Sequence, residues 1–128
     1  ENEYFDENFF LYLENTDLCL RQKKRNEKIY VIKNSEIEHM GSYSTKIDKT
    51  KNQEYVRNWH WMWSKFYFNK KHFGFTVAFL KILKNFSSAL IKYLFYLILF
   101  KSHKKMIYKM RLLGLYNSII GKNSFLRP

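Results

Sequence analysis

The sequence predicts an α/β head, one helix with short strands over residues 1–51, joined to a mainly α-helical, membrane-associating tail over residues 52–128. Three observations carry that division. All eleven acids lie at or before Glu54, where nine Lys and Arg accompany them, whereas residues 55–128 hold fourteen Lys and Arg and no acid. Residues 28–32 alternate and are β-branched, the pattern of a strand. In the tail, Lys81, Lys84, Ser88 and Lys92 recur at spacings of 3, 4 and 4, which puts them on one face of a helix.

Along the head, residues 1–13 are rich in Phe and Tyr and read as an extended loop. Asn15 or Thr16 is suited to cap a helix that runs to about Asn26, because a short polar side chain can accept from the free amides of the first turn. That helix turns Leu18, Cys19 and Leu20 inward and leaves residues 21–25 solvated. After the strand at 28–32, Asn34 and Ser35 make a turn and residues 36–39 a second short strand. Residues 41–51 form a polar loop whose apolar content is Tyr43 and Ile47.

In the tail, residues 53–71 form a helix too aromatic on all sides for a surface position, with Trp59, Trp61, Trp63, Phe66, Tyr67 and Phe68. At least one Trp belongs to a core, and the others suit a membrane interface. Gly74 breaks this helix, and residues 75–100 form the next. Its uninterrupted apolar run, 93–100, is eight residues, and three lysines stand in the window that a span of ~20 apolar residues would need. In-plane burial at the headgroup boundary fits that pattern better than crossing. Residues 101–105 are a basic break, and a last helix runs from about 106 to 120, where Gly121 stops it.

An acid-free basic tail meets polyanions, either nucleic acid or an anionic membrane surface. The basic half is also the apolar half, so the membrane is favoured and nucleic acid disfavoured. Cys19 is the single cysteine, which excludes an internal disulfide and suits a reducing compartment.

Two segments carry a resemblance. The first is Phe5-Asp6-Glu7-Asn8-Phe9-Phe10-Leu11-Tyr12-Leu13-Glu14-Asn15-Thr16-Asp17-Leu18-Cys19-Leu20-Arg21, and the second is Glu36-Ile37-Glu38-His39-Met40-Gly41-Ser42-Tyr43-Ser44. Together they resemble the acceptor-side half of family 2 inverting glycosyltransferases, especially rhamnosyltransferase-like members, closely over residues 4–44 and loosely along the tail. The resemblance implies a GT-A fold for the whole enzyme, of which this chain, opening at Glu1 inside the motif, is a C-terminal fragment. It also implies a nucleotide-sugar donor and a lipid-linked or polysaccharide acceptor. The enzyme would act at the cytoplasmic face of the membrane in surface-glycan assembly, and the fragment alone, lacking the nucleotide-binding half, would be inactive.

The same resemblance assigns roles. An acid of the family's Glu-Asp pair takes the proton of the acceptor hydroxyl. Asn15 stands at the second position of that pair, and an amide is no base, so Glu14 is the first choice and Asp17 the second. The alternative is that Asp17 caps a helix and Glu14 is solvated. His39 matches the ligand to a divalent ion, Mn or Mg, on the donor diphosphate, with the main ligands in the missing half. Gly41 and Ser42 match the loop over the diphosphate. His60, His72 and His103 have no acid near them in sequence and receive no chemistry. Two competing readings need no transfer chemistry: a small basic membrane-associated protein, and a nucleic-acid-binding module.

Overall fold

The computed structural model of the chain describes residues 4–34, 36 and 51–127. Four helices order themselves as α1 (Glu14–Lys24), α2 (Lys51–Phe73), α3 (Phe75–Ile98) and α4 (Ser102–Ile119). No strand occurs among the described residues, which corrects the expected α/β class and its GT-A architecture: the described chain is all-helical. Residues 28–32 are irregular and exposed throughout, Val31 to 88%. A β-branched run becomes a strand only when a ladder partner takes its amides and a core covers one face. Here it has neither among the described residues. The second expected strand lies outside them apart from Glu36.

Gly74, at φ 83°, joins α2 to α3 in a conformation that costs a residue without Cβ nothing. α3 folds back against α2, and Lys65 reaches Asn85 across the pair at 3.3 Å. α4 then packs on both. Met62 and Phe66 of α2, Ala78 and Ile82 of α3 and Leu115 of α4 form the core, with Ile119 at its edge. The α2–α4 crossing is close because Gly114 faces Trp59: a Cβ there would lie on the Trp59 carbonyl, 2.9 Å from its carbon. One turn later Ser118 Oγ donates to the Trp63 carbonyl at 3.0 Å. Small and hydroxyl side chains thus let two backbones approach where larger ones would hold them apart.

Helix ends follow the left-handed stop. Gly121, Asn26 and Phe100 sit at φ 78°, 60° and 52° just past α4, α1 and α3. At each, its own amide and the next one turn back to the last carbonyls, as in Gly121 N to Ser118 O at 3.2 Å and Lys122 N to Asn117 O at 2.9 Å. The expected stop at Gly121 is observed. Other boundaries move: α4 starts at Ser102, so the basic break is shorter than expected, and α1 starts at Glu14 behind Leu13 with no side-chain cap. Asn15 and Thr16 therefore lie inside α1, exposed, and Cys19 is exposed rather than inward. Trp59 and Trp63 are core residues and Trp61 is exposed. No described helix is long and apolar enough to cross a membrane.

Candidate functional site

The head is held on α2 by a polar stripe. His60, Ser64, Tyr67 and Lys71 are spaced 4, 3 and 4, which puts them on one face of the helix. Ser64 Oγ donates to the Leu11 carbonyl at 2.7 Å and Tyr67 Oη to Asp6 Oδ2 at 3.0 Å. Lys71 Nζ donates to Asp6 Oδ2 at 2.8 Å. His60 Nε2 donates to the Leu126 carbonyl at 2.7 Å, so the same stripe takes the C-terminal segment. That segment closes on the head: Ser124 Oγ donates to the Asn8 carbonyl, and the Arg127 guanidinium lies 3.9 Å from the Phe10 ring centre.

Asp17 is fully buried and fully engaged. Its Oδ1 accepts from His72 Nε2 at 2.7 Å and from Lys71 Nζ at 2.8 Å, while Oδ2 accepts from Arg21 Nε at 2.9 Å. His72 is set in its Nε2–H form by Lys24 Nζ, which donates to Nδ1 at 3.2 Å. Burial alone would raise the Asp17 pKa, but Lys71, Arg21 and His72 together hold it below the usual carboxylate value. Asp6 follows the same logic. Burial opposes its charge, yet Lys71, both nitrogens of Asn8 and the Tyr67 hydroxyl bring it to about 2. Tyr67 moves the other way, to about 12, pushed first by burial and then by its bond to Asp6.

Glu14 is different. It stands three residues before Asp17, hence on the adjoining face of α1. Its Oε2 is buried and has no hydrogen-bond partner among the described residues. A buried carboxylate oxygen without a donor is costly, and such atoms are rare enough to call for a cause. Of the two candidate bases, Asp17 has both oxygens engaged by cations and donors, and Glu14 keeps an oxygen with no donor among the described residues. His39, Gly41 and Ser42 lie outside the described residues. Among those described, no three His, Cys, Asp or Glu side chains converge as a metal site requires.

Two histidines read as acid-free from the sequence do meet acids: His72 meets Asp17, and His103 Nε2 lies 3.1 Å from Glu54. Arg57 Nε donates to the Tyr12 hydroxyl at 3.1 Å. The residues missed were Lys71, His72, Tyr67 and Asp6. Their signal was present as the polar stripe on α2 and as the segregation of charge, which leaves the head's acids to find cations across the fold. Neither family models, nor curated proteins, nor solved structures gave a match to this chain.

Proposed function

We propose that the chain is the acceptor-side portion of an inverting glycosyltransferase, with Glu14 as the base. The observation that carries the assignment to Glu14 is its buried, unpartnered carboxylate oxygen, set beside an Asp17 that is spent on structure. In such a transfer one carboxylate takes the acceptor hydroxyl proton as that oxygen attacks the anomeric carbon and the bond to the nucleotide diphosphate breaks on the opposite face. A base must offer a free lone pair, and its strength falls with its pKa. Asp17 is the poorer candidate on both counts: both its oxygens are already engaged by His72, Lys71 and Arg21, and its pKa is lowered. Its role is to position α1, and through α1 Glu14, against α2.

The donor is a nucleotide-sugar and the acceptor a lipid-linked or polysaccharide hydroxyl, met at the cytoplasmic face of a membrane. A divalent ion on the donor diphosphate would be held by His39 together with further oxygen ligands. The test is a pair of substitutions in the complete enzyme, followed by release of nucleoside diphosphate from a panel of nucleotide-sugars in the presence of membrane lipid extract. Glu14→Gln lowers turnover by roughly 10²–10⁴-fold with thermal stability unchanged, the range for a lost general base. Asp17→Asn lowers stability and activity together. A Glu14→Gln enzyme with wild-type turnover sinks the assignment.

A further inference from the structure

α3 carries most of its apolar surface away from the core. Its buried residues, Ala78, Ile82 and Ala89, make a narrow seam of mostly small side chains. At roughly 100° per residue, Leu80, Ile91 and Ile98 fall within about 20° of one line on the side opposite that seam. They are 65%, 66% and 73% exposed, and Phe100, just beyond the helix, is 90% exposed. Leucines and phenylalanines continue this arc on one flank. Lys81, Lys84 and Lys92 stand on the other, all exposed. An apolar arc that runs the length of a 24-residue helix, interrupted by the exposed Ser87 and bordered by cations, is more than the scattered apolar residues of an ordinary surface.

We propose that this arc of α3 docks in plane on an anionic lipid bilayer, with its leucines among the acyl chains and the three lysines at the headgroup phosphates. Charge selects this occupant. Residues 55–128 contain no acid, so a second copy laid arc to arc would set lysine against lysine with nothing in the tail to neutralise them. A bilayer carrying anionic lipid supplies both halves of the match, hydrocarbon for the arc and phosphate for its border. α3 is too lysine-rich to cross, which leaves the in-plane position. The inference rests on α3 alone and is independent of what Glu14 does.

Flotation of the full chain with phosphatidylcholine vesicles, with and without phosphatidylglycerol, tests it. The chain floats with the anionic vesicles, is released by high salt, and stays behind with the neutral ones. Leu80→Asp with Ile91→Asp, both on the exposed line and away from the seam, lowers vesicle binding by at least roughly tenfold while the helical circular dichroism is retained. Lys81→Gln, Lys84→Gln and Lys92→Gln together weaken binding and flatten its salt dependence, and this variant decides the matter if the double variant loses helix. Three results overturn the proposal. One is undiminished vesicle binding by either folded variant. Another is salt-sensitive binding to duplex DNA with none to anionic vesicles. The last is a dimer in solution that Leu80→Asp with Ile91→Asp turns into a monomer without any vesicle binding.

Discussion

α2 and α3 are nearly equal in length, 23 and 24 residues, yet they divide the apolar work in opposite ways. α2 is rich in Lys, His and Asn and buries Val56, Trp59, Met62, Trp63 and Phe66. α3 is the more apolar and buries only Ala78, Ile82 and Ala89. Burial here follows the number of partners, not the hydrophobicity of the helix. α2 has α3 and α4 on one side and both terminal segments on the other, drawn there by its polar stripe. α3 is packed on one side and open on the other. Composition says how much surface would leave water; topology says which surface does.

The contrast breaks most sharply by truncation. Phe66→Ala removes a fully buried ring and costs about 3–5 kcal/mol in urea unfolding, whereas Ile91→Ala on the outer arc stays within about 0.5 kcal/mol. An Ile91 effect as large as that of Phe66 means that α3's outer face is packed after all. Next comes the α2–α4 crossing. Gly114→Ala forces a methyl into the Trp59 backbone and costs toward ~3 kcal/mol, the upper part of the range for overpacking. A neutral result means the helices separate at little cost. The third sharpens the other side of α2. Asp6 has a pKa of about 2 in the folded chain against an ordinary 3.8, so its stabilisation is complete above pH ~4 and lost as pH falls through ~2. That contribution is about 2 kcal/mol, and hydrogen exchange of residues 5–12 should rise over that window while α3, which has no carboxylate, stays unchanged.

The helices of the tail were legible because their signals are local. Gly74 and Gly121 punctuate the chain, and the lysine spacing in α3 has a helical period. The strand expected at 28–32 rests on an equally local pattern, but pleating needs a neighbour that no residue in the run can report. The site was half legible. Glu14 and Asp17 stood out at their three-residue spacing, but which of them is free depends on Lys71 and His72, more than fifty residues away. Cys19 was placed inward for its leucine neighbours. With α1 held through Asp17, that residue's own side became the inner one and Cys19 was left outside.

The Lys71 ammonium lies 2.8 Å from Asp6 and 2.8 Å from Asp17, one cation shared by two segments that do not bond to each other through these acids. The two attachments are therefore one cooperative unit. Freeing Asp6 lets Lys71 give itself wholly to Asp17, and neutralising Asp17 does the reverse, so the two substitutions are non-additive in a double-mutant cycle. By reciprocity, any molecule that binds residues 5–12 and draws Asp6 away also changes the energy with which α1 is seated, and with it the setting of Glu14.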